Sequence, residues 1–457
     1  MDPRLPIPST TFSDVVWTPQ GHQATMVDDP DCARLTCIAV SRDSYCQPSA
    51  QAAFNALLAR HSLLRSHYAR TPSGSLVVVT PVQDFVQITM RDLTKHSIAQ
   101  HPSLLQECEL NILQEPLAIY RQPPVRCTVI RLGDRLTLFL VMLHHSVADA
   151  ISINIVRHDL PFLYRSALRR TSPPLPAPIM EFRDFVRERS RWLEGSDSRP
   201  HRDYWHSVFS DAHNLFQLPY DRKPIGGTPY LRPHVVGGVS STVLIRLRAL
   251  AAERRTTIAI IFYALVLVAL ARWSARPDAA TWICHSGRFR REHYQVVGCF
   301  FDHWLLRLDL SSAKHFGEVL KRVHRLTLTA LPHLRVPLHY VAADLRRTAT
   351  GPLYPGVVIN FMSFLKAAGV RVPGDSMPSG SPGYGLSRDS LLGLIVNFYE
   401  SADRIHWRIL HSSHLFEEST IVKFSNGLAD LAARVASNPL LPLADIGDGS
   451  LNGVSVP

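Results

Sequence analysis

Apolar residues fill almost every position from Leu136 to Leu143. A strand with one wet face alternates apolar and polar residues, so this unbroken run predicts a strand covered on both faces. Beyond it, Ala150-Ile-Ser-Ile-Asn-Ile-Val156 can start a helix with Asp149 near its first turn, where the backbone dipole favours a negative charge. Phe54, Leu57, Leu58 and His61 have helical spacing. The longest apolar run, Ile258 to Ala271, is shorter than the roughly 20 residues of a membrane span. Thr256-Thr257 supplies an N-cap for it, which predicts a buried helix. Ser172-Pro-Pro-Leu-Pro-Ala-Pro178 reads as a linker. Met1 to Gln20 is polar and proline-bearing and does not read as a secretory signal.

Between the buried strand and the helix stands His144-His145-Ser146-Val147-Ala148-Asp149-Ala150. Successive side chains of an extended segment point to opposite faces, so the two histidines should diverge. One enters the protein body; the other meets the space at the strand end. Histidine is the side chain whose ordinary pKa of about 6.5 leaves a neutral base at working pH. Asp149 is placed either to orient a ring or to brace the loop through an arginine. Adjacent histidines rarely converge on one ion, and the seven cysteines (positions 32, 37, 46, 108, 127, 284 and 299) contain no CxxC pair, so no metal site is expected.

The pattern HHxxxDA resembles the HHxxxDG motif of the condensation domains of nonribosomal peptide synthetases. Further matches follow in family order over roughly residues 40 to 440. Ala59-Arg-His-Ser-Leu-Leu-Arg65 resembles "arHxxLR", and the stretch from Glu115 through Arg126 to Arg131 resembles the entry to the central strand. Phe182-Arg-Asp184-Phe185 through Trp192 resembles "YxDYxxW"; Tyr204-Trp205 with Leu218-Pro219-Tyr-Asp221-Arg222 resembles "YW … LPxDR". Gly287-Arg288 with Val297-Gly298-Cys-Phe300 resembles "GR … VGxF", His333 to Pro337 resembles "HQxxP", and His414 to Ile421 resembles "TDLFxxxTI". Three features depart from the family. Pro6-Ile-Pro-Ser-Thr-Thr stands in place of its opening motif, Ala150 in place of the motif glycine, and Asp302-His303-Trp304 in place of "VNT".

The resemblance implies an α/β (α+β) protein of two chloramphenicol-acetyltransferase-like lobes forming a V with a central cleft or tunnel. The expected division is an N-terminal lobe over 1–171, a linker over 172–180 and a C-terminal lobe over 181–457. It implies that His145 is the catalytic residue, that His144 packs inward, and that Asp149 pairs with Arg288, with Arg65 a second candidate partner. Asn360, Ser152, Phe289 and Trp304 become candidates for the substrate cleft; a helix surface or cap is an equal reading for Ser152. The methyl of Ala150 is expected to narrow the channel near His145. Gly287 and Gly298 read as turn or close-packing positions.

The implied function is condensation. An acyl or aminoacyl thioester, on the phosphopantetheine of an acyl or peptidyl carrier protein acting in trans or on coenzyme A, is joined to a small-molecule amine or hydroxyl in natural-product assembly. The remaining length holds no adenylation or carrier module, which implies a free-standing enzyme with no bound cofactor. Two alternatives stay open: an O-acyltransferase served by coenzyme A or a polyketide carrier, and a non-catalytic carrier-docking module. An epimerisation domain would carry a glutamate near Ser286-Gly-Arg288, and a heterocyclase would carry aspartates instead of the histidine pair.

At 457 residues, 46% apolar and 19% charged, the chain is globular and long enough for more than one core. The odd number of scattered cysteines suggests reduced thiols in a cytoplasmic protein. The net charge of +11 comes from 43 arginines against six lysines. Coding bias explains it; so does a basic face for an acidic carrier and the phosphates of its prosthetic group. No basic run interleaved with aromatics points to nucleic acid, and no long apolar segment points to a membrane. Val236-Gly-Gly-Val-Ser240 resembles a carrier's phosphopantetheine site but sits where a strand leads into a helix. No GxxxxGK[ST] phosphate loop and no GxSxG elbow is present.

Overall fold

The computed structural model describes residues 15–17, 27, 34–71, 76–80, 86–115, 117–209, 218–223, 231–337, 340–341, 356–362 and 393–445. The opening Pro6 to Thr11, most of Met1 to Gln20, and Cys32 lie outside them. The described residues fall into two units. The first lies within Met1–Glu194 and Ser286–Phe301; the second lies within Gly195–His285, Asp302–Ser379 and Gly385–Pro457.

The first unit contains β1 (Val15–Trp17), β2 (Arg34–Ser41), β3 (His67–Arg70), β4 (Leu76–Thr80), β5 (Thr89–Asp92), β6 (Val125–Gly133) and β7 (Leu136–His144). Its helices are α1 (Gln47–Arg60), α2 (His101–Gln114), α3 (Ala150–Arg169) and α4 (Phe182–Glu194). Its main sheet has the order β2-β7-β6-β5, with β7 antiparallel to both neighbours and β5 parallel to β6. A smaller antiparallel sheet runs β1-β4-β3.

Strand β7 is the apolar run, and it is buried on both faces. Phe139, Val141 and Leu143 enter one core with Phe54 and Leu57 of α1 and Val156 and Leu160 of α3. Leu138, Leu140 and Met142 enter another with Ile112 and Leu113 of α2. The period of two assigns alternate side chains to the two cores. Each such burial contributes about 1.5–3 kcal/mol of transfer free energy, which makes the strand a rigid base for the loop that follows. Helix α3 begins at the aspartate cap and buries Val156, Leu160, Leu163 and Tyr164, one stripe at helical spacing.

The unit boundary falls at Glu194/Gly195, not at the proline-rich stretch 172–180. The reason is packing: Leu175 and Met180 lie against the first core, and Phe182, Phe185 and Val186 of α4 are part of it. Ser286–Phe301 also returns to the first unit, so the C-terminal half of the chain is not one lobe.

The second unit contains β8 (Leu231–Val239), β9 (Asp278–His285), β10 (Asp302–Asp309), β11 (Val357–Met362), β12 (Leu394–Glu400) and β13 (Ile405–Ser412). Its helices are α5 (Arg199–Phe209), α6 (Ser241–Glu253), α7 (Ile258–Trp273), α8 (Phe316–Ala330) and α9 (Glu418–Ser437). The strands form one mixed sheet in the order β10-β9-β11-β12-β13-β8, with β11 parallel to both its neighbours. Helix α7 is apolar on all sides because it is buried on nearly all of them, and Thr257 caps it by accepting from the Ile260 N–H at 3.3 Å. Among the described residues no single helix is long and apolar enough to cross a membrane; α6 and α7, bent by 106°, pass only as a pair. In the carrier-like stretch, Gly237 makes room for the Trp407 indole and Ser240 caps α6 by accepting from the Val243 N–H, so both residues have structural tasks.

Candidate functional site

At the end of β7 the chain leaves the sheet through a 3-10 turn, His145–Val147, and enters α3 at Asp149. His144 closes the turn. Its Nδ1 accepts from the Ser146 N–H at 3.3 Å and from the Ser146 hydroxyl at 2.7 Å. That nitrogen is therefore the acceptor, and the proton of the neutral ring sits on Nε2. Burial, with the charges of His145 and Arg34, pushes the His144 pKa down to about 3. His144 is uncharged at any working pH. His145 lies on the turn itself, 4% exposed, with its ring centroid 4.9 Å from that of Phe301 and tilted by 49°.

Asp149 is the hub of the loop. It caps α3 by accepting from the Ser152 N–H and hydroxyl, both at 2.8 Å. Its two oxygens accept from Arg288 Nη2 at 2.8 and 2.9 Å, and Oδ2 accepts from the Phe300 N–H at 3.3 Å. The Arg288 side chain has no exposure and that of Asp149 has 5%. Removing two such charges from water costs several kcal/mol per ion unless hydrogen bonds replace the lost hydration. Here Arg288 also donates through Nη1 to the carbonyls of His293 and Val296 and through Nη2 to the Ser152 hydroxyl, while its Nε makes no hydrogen bond among the described residues. Its guanidinium lies 3.9 Å from the Phe300 ring centroid. The two glycines permit this approach. Gly287 has φ +65°, and a Cβ on it would meet the Phe300 carbonyl. A Cβ on Gly298 would strike the Phe182 ring at 2.0 Å.

The first unit thus brings together His144, His145, Asp149, Ala150, Ser152 and Arg288. Of the two arginine candidates, Arg288 makes the pair; Arg65 ends the 3-10 turn Ser62–Arg65. Ser152 is no helix-surface residue. It is fully buried; its hydroxyl accepts from the Gly298 N–H at 3.0 Å, and its single proton lies between Asp149 and the Gly298 carbonyl, which is 2.9 Å from the oxygen. Ala150 is the first residue of α3 and is not among the positive-φ residues, so the position does not require glycine. Phe289 is 44% exposed in the same unit. Trp304 and Asn360 belong to the second unit. Trp304 is buried in β10 opposite Ile283, and the Asn360 amide in β11 donates to Asn397 of β12 at 3.3 Å. Ser146 and Phe301 were not singled out by sequence; nothing in one sequence marks a serine that locks a turn or a phenylalanine that meets a histidine across 156 positions.

The other motif matches are joints. Arg60 and His61 hold Asp159 of α3 at 2.8 and 3.3 Å, and His158 reaches it at 2.8 Å. Burial pulls the Asp159 pKa up, but these partners outweigh it and hold it at about 2. In the second unit Tyr204 stacks on His333 at 4.0 Å and Trp205 donates to the His333 carbonyl; the Asp221 carboxylate accepts from the Glu417 N–H at 2.8 Å. Among the described residues no cluster of three or more histidine, cysteine or acidic side chains could hold a metal ion, and none of the six described cysteines is in a disulfide.

A family model described as "Condensation domain" matches residues 37–448. One of the linear gramicidin synthase proteins of Brevibacillus parabrevis is 24% identical over 408 residues, covering 86% of this chain and 8% of that protein. The chain therefore spans less than a tenth of that relative's length. In fold, the chain is similar to the X-domain from teicoplanin biosynthesis (TM-score 0.79, 18% identity, 94% of this chain and 97% of that one), and to the same domain in complex with OxyB (TM-score 0.76, 17% identity, 97% and 99%). It is also similar to the starter condensation domain of rhizomide synthetase RzmA, an R148A mutant in complex with C8-CoA (TM-score 0.73, 13% identity, 93% and 94%). The mixed sheets and helices described above are thus the chloramphenicol-acetyltransferase-like fold of condensation domains.

Two consequences are measurable. Arg288→Ala strands a buried carboxylate, so urea unfolding should show a loss of about 3–5 kcal/mol. The double variant Asp149→Leu/Arg288→Met should lose less than the sum of its single changes, and simple additivity would contradict a coupled pair. The second concerns acid. Between about pH 6.5, where an unfolded histidine takes a proton, and about pH 3, where folded His144 does, the unfolded state binds more protons. Stability therefore falls as pH is lowered through this window, by about 1.4 kcal/mol per unit for one such group. Buried His61 and His293, also shifted down, add to the wild-type slope. Urea unfolding of His144→Gln between pH 7 and pH 5 should be shallower by about one proton; equal slopes would contradict a neutral buried His144.

Proposed function

The chain belongs to the condensation-domain family, and from that premise we propose that it is an acyltransferase that joins a thioester-bound acyl or aminoacyl group to an amine or hydroxyl in natural-product biosynthesis. The observation that carries this reading is the intact His144–His145–Asp149 loop, held by a buried, multiply hydrogen-bonded ion pair with His145 on its turn. His145 accepts the proton of the attacking amine or hydroxyl as the new C–N or C–O bond forms, and returns it to the sulfur as the C–S bond breaks. The thioester is already activated, so no acyl-enzyme is needed. A positioned base of this kind contributes about 100- to 10,000-fold, in addition to alignment of the two reactants. The neutrality of His144 matters here: a charged neighbour would oppose every protonation of His145.

The donor arrives on the phosphopantetheine of a carrier protein in trans or on coenzyme A; the net charge of +11 suits an acidic carrier and a phosphate-bearing donor alike. An O-acyltransferase fed by coenzyme A uses the same residues. Docking is the second reading, since the fold also serves an X-domain that forms a complex with OxyB.

Acyl thioesters on a carrier protein or on coenzyme A, offered with a panel of amines and alcohols and followed by mass spectrometry, test this directly. Wild type should give product, and His145→Ala should lower its rate by about 100- to 10,000-fold. Equal rates would remove His145 from the chemistry. No product across the panel, with the carrier still bound, would turn the reading to docking.

A further inference from the structure

The backbone of a histidine on a 3-10 turn restricts its rotamers without fixing one, and a proton acceptor must be placed to within about an ångström to be useful. A ring beside His145 is that of Phe301, at a centroid distance of 4.9 Å and a tilt of 49°. Phe301 ends the segment Ser286–Phe301 that returns to the first unit, and its place is set by the atoms that set the histidine loop. The Gly298 N–H and carbonyl both bond the Ser152 hydroxyl. The next anchor is the Phe300 N–H on Asp149 Oδ2. The Phe300 ring is clamped between the Arg288 guanidinium at 3.9 Å and the rings of Phe182 and Phe185 at 4.9 and 4.5 Å. Phe300 is wholly buried, while Phe301 is only partly so and packs with Cys299.

We propose that Phe301 is a positioning residue for His145: its ring limits the imidazole's rotamers, and Asp149 controls both partners, one through its own loop and one through the Phe300 N–H. This rests on the acyl-transfer reading for its consequence in rate, but the contact itself does not. An aromatic pair of this geometry biases a ring's population by about 2- to 10-fold, and misplacement of a base costs about 10- to 100-fold in turnover. The effect falls on kcat, because the brace acts on the base and not on substrate binding.

The test uses full-length protein labelled at the histidine ring carbons, with the His145 resonance assigned by its loss in His145→Gln. In Phe301→Leu the His145 ring signal should move as the neighbouring ring current disappears. In Phe301→Tyr it should stay near wild type. In the acyl-transfer assay Phe301→Leu should lower kcat about tenfold with KM nearly unchanged, and Phe301→Tyr should restore most of it. Thermal melts that match wild type show that the variants are folded, and the tyrosine variant covers the case in which leucine destabilises the unit. A His145 signal unmoved in Phe301→Leu overturns the proposal, as does a fall in kcat that tyrosine does not repair. If wild type acylates nothing, the acyl-transfer reading fails, while an unmoved His145 resonance in Phe301→Leu would still overturn the contact on which the proposal stands.

Discussion

The arrangement of the first unit depends on one buried ion pair. Asp149 and Arg288 are 139 residues apart in sequence, and their side chains are almost wholly removed from water. Such a pair is tolerable only when hydrogen bonds take the place of the lost water. Asp149 meets that condition by serving as helix cap, counter-ion and acceptor for the Phe300 N–H together. A carboxylate with three tasks ties the end of the loop to α3, to Arg288 and to the Phe300 backbone. The pair is thus a device of geometry more than of net stability, since well-packed apolar residues of similar volume often stabilise as much.

Two consequences follow for the histidines, and they are opposite in kind. His144 turns inward, loses its charge to burial and becomes a structural acceptor for Ser146. His145 stays on the turn against an aromatic ring, supported from below by a strand buried on both faces. Both rings are buried, and what differs is their neighbours, a serine for His144 and a phenylalanine ring for His145. The same logic runs through the other motif matches. Arg60 and His61 hold α3 through Asp159, and Tyr204 and Trp205 hold the turn at His333. Most of the motif residues with known contacts act as fasteners between segments distant in sequence, and His145 stands apart as the group proposed for chemistry.

Local physics made part of this legible in sequence. The unbroken apolar run announced β7, and the aspartate before Ala150 announced the start of α3. The length and apolarity of Ile258 to Ala271 announced a core helix. The resemblance to the family supplied the arginine for Asp149, which no local pattern could have chosen from 43 candidates. What failed was non-local. The proline-rich stretch 172–180 has the composition of a linker, yet Met180 and the helix after it bury against the first core. The return of Ser286–Phe301 to that core leaves no trace in composition or periodicity. Ser152 could be read as a cap; the cap is Asp149, and Ser152 donates its N–H to it while its hydroxyl meets both backbone atoms of Gly298. Phe301 was invisible because its partner is chosen by tertiary packing alone.

Whether Asp149 serves acyl transfer through His145, and not independently of it, is decided most directly by a kinetic cycle. It compares kcat/KM for thioester-dependent product formation in wild type, Asp149→Asn, His145→Ala and the double variant. If the aspartate acts by holding the histidine, Asp149→Asn lowers the rate in wild type and adds almost nothing once His145 is gone. If the two losses multiply in the double variant, the loop and the base work separately, and Asp149 does not act through His145.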